Sequence, residues 1–199
     1  TFERAAAVDG VKVIRHSFNR GYGAALKTGS AAAKRAFIGW FDADNEHRVD
    51  DLVAMHAKAE DLQLAAVIGR RQKAGVTMFR AVGKSVIRLV ARLLGVRTGR
   101  DLNCGLRVFK RAAILPYLSL LSDSYSASTT STMIMAERRY PIRFHDIDTN
   151  PRIGESKVRI GHGFQALLIV VRTIMLFAPL RIFLGLGSAT TVIGVAYSL

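Results

Sequence analysis

The segment Phe37-Ile38-Gly39-Trp40-Phe41 is a short aromatic and aliphatic run that stops abruptly at Asp42-Ala43-Asp44. Such a run fits a strand buried on both faces of a parallel sheet. Open α/β sheets bind ligands just beyond the carboxyl ends of their strands, and the two aspartates stand at such an end. Residues two apart on a strand project to the same side, so if strand geometry persists both carboxylates face one cation. Hard ions such as Mg²⁺ take one or two carboxylates and complete their shell with phosphate oxygens and water. The pattern is also short and common, and a solvated turn that caps the following helix accounts for it as simply.

The neighbouring segments supply the context. Residues 2–7 read as the tail of a helix and 11–14 as a short strand. Asn19-Arg20-Gly21-Tyr22-Gly23 is a loop, and 24–34 is Ala-rich and helical. Glycines before a helix either admit a phosphate to its N-terminus or let the helix pack tightly. The spacing here is neither a P-loop nor G-x-G-x-x-G, which favours packing. Asp50 and Asp51 suit the positive end of the next helix, whose predicted apolar face is Leu52, Val53, His56 and Ala57. Residues 64–68 form another buried strand, ending in Gly69-Arg70-Arg71. This rhythm of strand, helix and strand predicts an α/β fold with a mostly parallel sheet flanked by helices. It also sets Arg70 and Arg71 at the edge occupied by Asp42 and Asp44. There they pair with the carboxylates or hold a phosphorylated ligand, whose oxygens match the guanidinium fork.

Further on, 79–94 is amphipathic, with Arg80, Lys84, Arg88 and Arg92 every four residues. This is a solvated stripe or a face lying on anionic lipid. Residues 101–109 run from polar through a turn into a strand, 124–132 form a loop or helix start rich in Ser and Thr, and 133–139 continue a helix. Residues 141–148 alternate like a strand and carry a second aspartate pair, Asp146 and Asp148. That pair ranks below the first because it belongs to a half-exposed strand. The basic stretch 152–159 is a charged linker or a phosphate clamp.

Between 164 and 199 the only formal charges are Arg172 and Arg181, and Pro179 divides the segment. The first part suits the bilayer interface. Residues 182–199 are uncharged and long enough to span, given about 17–25 residues per transmembrane helix; the alternative is a buried hairpin of a soluble core. Basic residues just before this segment put the preceding domain on the cytoplasmic side. The predicted division is therefore a domain over 1–159, followed over 160–199 by an interfacial and a transmembrane helix.

The net charge of +14 calls for an anionic partner. A basic nucleic-acid-binding protein is one alternative, but no helix-turn-helix, zinc or RNA-binding motif is present and a spanning tail is foreign to it. A non-catalytic membrane fragment is another. The single cysteine, Cys104, excludes an internal disulfide. The chain opens on Thr1 without a signal-peptide pattern, and a further N-terminal piece is expected upstream.

In order along the chain stand Asn19-Arg20-Gly21-Tyr22-Gly23-Ala24-Ala25-Leu26-Lys27-Thr28-Gly29, Phe41-Asp42-Ala43-Asp44, Ile68-Gly69-Arg70-Arg71, Asp101 with Gly105-Leu106-Arg107-Val108-Phe109-Lys110-Arg111, and Arg152-x-Gly154-x-Ser156-Lys157. This series resembles the family-2 glycosyltransferases, specifically the polyprenyl-phosphate (dolichol-phosphate mannose synthase-like) branch, over roughly residues 10–160. The resemblance implies a GT-A fold, a nucleotide-sugar donor, Mg²⁺ or Mn²⁺, an undecaprenyl- or dolichyl-type phosphate acceptor, an inverting transfer and attachment to the membrane; it leaves a homo-oligomer open. By position it implies Asp42, Asp44 and Glu46 at the metal. It implies Arg71 and Arg80 at donor phosphates near the reacting centre, Asp101 in the active site as a base, and Arg152, Ser156 and Lys157 at the acceptor phosphate. Relatives often carry Gln where Glu46 stands. Two departures matter. The family's opening strand and its Asp-Asp-Gly-Ser stretch for the nucleotide base are not found in this sequence, and 126–132 replaces a more acidic stretch.

Overall fold

In the computed structural model the described residues are 2–71, 104–150, 175 and 179–198. The helices are α1 (Phe2–Ala6), α2 (Tyr22–Ala32), α3 (Val49–Asp61), α4 (Arg111–Ile114), α5 (Ala127–Glu137) and α6 (Pro179–Ser198). The strands are β1 (Phe37–Trp40), β2 (Ala66–Arg71), β3 (Arg107–Lys110) and β4 (Ile142–Ile147). A 3₁₀ stretch, Leu115–Leu120, follows α4.

The four strands form one sheet in the order β1-β3-β2-β4. β3 runs antiparallel to both β1 and β2, and β2 pairs with β4 in parallel. Thus β1, β2 and β4 share a direction, as expected, but the sheet is mixed. The short run 107–110 wedges between β1 and β2 and takes up the backbone groups through which they would otherwise pair. Side chains alternate across the sheet. Ile38, Trp40, Ala66 and Phe109 face one layer with Ile134 and Met135 of α5. Val67, Val108 and Ile147 face the other with Met55 and Ala59 of α3. Trp40 packs edge-on to Phe109 with ring centroids 4.8 Å apart, and its Nε1 donates to Ser30 Oγ on α2 at 2.9 Å. A buried indole N–H thus finds its acceptor.

Two local expectations are corrected. Residues 11–14 are not a strand: Val11 and Ile14 are exposed, and the segment pairs with no strand among the described residues. An alternating run becomes a strand only with a neighbour to satisfy its backbone. The inward face of α3 is Met55 and Ala59, with Leu52 partly buried, whereas Val53, His56 and Ala57 are exposed. Leu52 keeps its expected inward place and covers Gly39 of β1, where an added Cβ would stand 3.1 Å from Leu52 Cδ1. The hydroxyl-rich stretch 126–132 starts helix α5, as expected, and is buried. Its polarity is absorbed locally, as Ser131 Oγ and Thr132 Oγ1 both donate to the Ser128 carbonyl, at 2.9 and 3.3 Å.

Helix α6 exposes Leu180, Phe183, Leu184, Val192, Ile193 and Val195. No helix among the described residues is long and apolar enough to cross a membrane. The expected interfacial helix over 164–177 and the predicted domain boundary lie outside the described residues, apart from Met175.

The start of α2 is tightly built. Gly21 takes φ 95°, and the Gly23 N–H donates to the Asp123 carbonyl at 2.9 Å. A Cβ on Gly23 would overlap the Ser122 carbonyl oxygen and stand 2.9 Å from that of Ser124. These glycines therefore serve packing, against 122–127, and the N–H groups of Gly23 and Ala24 are engaged by the Asp123 carbonyl. Gly29, in the same helix, has open space around its Cα. Gly23→Ala is expected to destabilise the fold by about 1–3 kcal/mol through overpacking. Gly29→Ala is expected to stabilise it by about 0.5–1 kcal/mol through helix propensity. Denaturant unfolding of the two variants measures both.

Candidate active site

Since β1, β2 and β4 point the same way, their carboxyl ends and the start of β3 share one edge. The chain leaves β1 there as 42–47. Extended geometry does not continue through this loop. Asn45 takes φ 62°, and Asp44 Oδ1 accepts from the Glu46 N–H at 3.1 Å. Asp44 thus forms an Asx turn, so the turn reading holds in part and the carboxylates are not aligned by strand periodicity. The loop is pinned to the end of β4, where the Asn150 N–H donates to the Glu46 carbonyl at 3.1 Å and Asn150 Nδ2 to the Asn45 carbonyl at 3.0 Å.

Asp42 is half-buried over the backbone of Gly105, where any Cβ would collide with its Oδ2. The Tyr22 hydroxyl lies beside this carboxylate over Gly105. Burial pushes the Asp42 carboxyl above the usual carboxylate range. The Tyr22 hydroxyl and the nearby His47 oppose that shift, whereas the negative charges of Asp44 and Glu46 add to it. Burial, and then the Asp42 charge, push the Tyr22 phenol up, against the influence of Arg107. Among the described residues, the Ser128 hydroxyl lies by the phenol but reaches no group in hydrogen-bonding geometry, and the Nδ1 of buried His47 likewise has no partner.

Arg71, at the end of β2, pairs with Glu46 at 3.4 Å, both half-buried. Neighbouring Arg70 points to β4 and makes a two-pronged pair with Asp146, its Nη2 donating to Oδ2 at 2.7 Å. The second aspartate pair is therefore committed in part to a surface ion pair, which fits its lower rank. That guanidinium holds the Asp146 carboxyl below the usual range.

Asp42, Asp44, Glu46 and Arg71 thus gather at one edge. Arg80, Asp101, Arg152, Ser156 and Lys157 lie outside the described residues. The described residues nearest them in sequence reach the same edge: Arg71 pairs with Glu46, Gly105 touches Asp42, and Asn150 holds 45–46. Among the described residues no three His, Cys, Asp or Glu side chains form a ready metal cluster. An open set of one or two carboxylates is nonetheless the donor set Mg²⁺ uses when phosphates and water complete its shell, so the residues present fit such an ion only together with a phosphorylated ligand.

Tyr22, His47, Gly105 and Arg107 were given no site role by the sequence. Arg107 is fully buried, its Nε donating to the Cys104 carbonyl at 2.8 Å and its Nη1 to Ser131 and Thr132. The available signal was an arginine inside an apolar strand, since a charge is rarely buried unless partnered.

The profile of the family described as Glycosyl transferase family 2 matches residues 3–113, more than half of the chain. The undecaprenyl-phosphate 4-deoxy-4-formamido-L-arabinose transferase of Aeromonas hydrophila is 27% identical over 98% of this chain and 59% of its own. The dolichyl-phosphate beta-glucosyltransferase of Saccharomyces cerevisiae is 26% identical over 69% of this chain and 48% of its own. The chain thus spans about half to three-fifths of the length of these relatives. Among solved structures, glucosyl-3-phosphoglycerate synthase from Mycobacterium tuberculosis with Mn²⁺, UDP-glucose and phosphoglyceric acid superposes with a TM-score of 0.55. It is 16% identical over 85% of this chain and 59% of its own, a likeness of fold. The same enzyme with Mg²⁺ and UDP gives the same TM-score, 0.55.

The raised value of Asp42 has a consequence for stability. Its folded-state pKa lies above its unfolded one, so ionisation works against the fold. That cost is full above the raised value and absent below about pH 3.9. Asp42→Asn is therefore expected to raise the melting temperature at neutral pH, with the difference closing as pH falls to about 4. Thermal unfolding across this range checks it.

Proposed function

Because the chain belongs to glycosyl transferase family 2, we propose that it is part of an enzyme that moves a sugar from a nucleotide-sugar donor to a polyprenyl phosphate in a single inverting displacement. The observation that carries this reading is the meeting at one sheet edge of the 42–47 carboxylates with Arg71, Gly105 and Asn150. The names of the Aeromonas and yeast relatives favour a lipid-phosphate acceptor, and the metal and UDP in the fold neighbours favour a diphosphate donor with Mg²⁺ or Mn²⁺.

Two anions must meet for this reaction, and the chain's task is to let them. Asp42 and Asp44, joined by Glu46, hold the cation, which when bound neutralises the donor diphosphate and the charge on the leaving group. Arg71 exchanges its long contact with Glu46 for phosphate oxygens, which suit a guanidinium at least as well. Arg80 assists it. Arg152, Ser156 and Lys157 bind the acceptor phosphate, with Asp101 as a base in the active site. A phosphate monoester has a second pKa of about 6, so it attacks as an anion and needs only weak proton removal. The hydrophobic tail holds this domain on the cytoplasmic face of a membrane.

In the full-length protein, Asp44→Asn is expected to lower sugar transfer by about a hundredfold or more while membrane attachment is unchanged. Full activity with metal present would refute the assignment. Lys157→Ala is expected to raise the KM for lipid phosphate more than that for donor, and equal effects on both would count against the clamp.

A further inference from the structure

Among the described residues, Asp42 is the candidate metal-site carboxylate faced by a group from a distant part of the fold that the proposed reaction does not otherwise use. A Cβ built on Gly105 would overlap Asp42 Oδ2 and stand 3.3 Å from the Tyr22 hydroxyl. The carboxylate and the phenol therefore meet over the same bare stretch of backbone. Tyr22 itself has little freedom. It is the first residue of α2, between Gly21 at φ 95° and Gly23, whose N–H is fixed to Asp123. Its ring stacks on Tyr125 with centroids 5.4 Å apart and planes 20° from parallel. Arg107, close enough to act on the phenol, is itself anchored to Cys104, Ser131 and Thr132.

A carboxylate has two oxygens and about four lone-pair sites. A donor on one oxygen stops the group rotating and leaves the other to an incoming cation. Groups that hydrogen-bond a metal's ligands in this way orient them and tune their affinity. We propose that the Tyr22 hydroxyl is a positioning group for Asp42, donating to one carboxylate oxygen and turning the other toward the cation of a metal–diphosphate ligand. This rests on the reading of Asp42 given above. The competing account is that Tyr22 only packs the start of α2 against 122–127, for which the ring suffices and the hydroxyl is dispensable.

Tyr22→Phe separates the two, because it keeps the ring and its stacking and removes one oxygen. The measurement is Mn²⁺ binding to the full-length protein, followed by electron paramagnetic resonance with UDP or GDP, whichever the unaltered protein takes up in a metal-dependent way. The expected result is Mn²⁺ binding weakened by about tenfold, with melting temperature and metal-free nucleotide binding unchanged. Binding within about twofold of the unaltered protein overturns the inference, since outer partners of metal ligands are worth more than that. Asp44→Asn is the control. If it binds Mn²⁺ normally, or if the unaltered protein binds neither nucleotide with metal, the underlying reading of the site fails and this inference with it. If Asp44→Asn loses Mn²⁺ while Tyr22→Phe does not, only the positioning role fails. Should Tyr22→Phe prove unstable, Gly105→Ala tests the same contact from the other side, because its methyl displaces the carboxylate from the hydroxyl. Normal Mn²⁺ binding by folded Gly105→Ala overturns the inference equally.

Discussion

The register of β3 is the constraint on which the site depends. Arg107 lies opposite Trp40 on one side and Ile68 on the other. That single alignment sets the residues before β3 against those that follow β1, and so brings Gly105 beneath Asp42. It also sets the end of β2, with Arg71, within reach of Glu46. Sliding a strand by one residue would exchange the faces of every side chain it carries. The two buried layers forbid such a slip, with Phe109 against Trp40 in one and Val108 beside Met55 and Ala59 in the other.

The electrostatics of the edge follow from this packing. Asp42, Asp44 and Glu46 crowd negative charge onto five successive residues, and burial disfavours the ionisation of Asp42. A loop of this kind is stable only if cations or donors face it. Tyr22 and Arg71 do so, and Arg107 stands behind the phenol. Arg70 looks away, to Asp146, so two adjacent arginines serve different ends: one ties β2 to β4 and one faces the site. The division comes from strand alternation, which sends neighbouring side chains to opposite faces.

Much of this was legible along the chain. The buried strands at 37–40 and 66–71, the helices over 22–32 and 49–61, and the placing of carboxylates and arginines at one edge all follow from local patterns of apolar and charged residues. What failed was also local. Residues 11–14 have the right composition for a strand but no partner among the described residues, and α3 buries Met55 and Ala59 rather than His56. Asp42 and Asp44 were expected to align as strand neighbours. The positive φ of Asn45 bends the loop instead, and Asp44 is drawn into a turn.

Local patterns along the chain establish which segments are apolar enough to be buried, where charge is concentrated, and in what order the motifs of a family-2 glycosyltransferase occur. These are properties of neighbours in the chain, and short-range periodicity reports them faithfully. Packing across the fold, in contrast, brings Tyr22, Asp42 and Gly105 together, parts β1 from β2 with β3, and buries Arg107 behind the site. Each of those contacts joins residues far apart in sequence. It is set by strand pairing and by the space a missing side chain leaves, quantities that no local window contains.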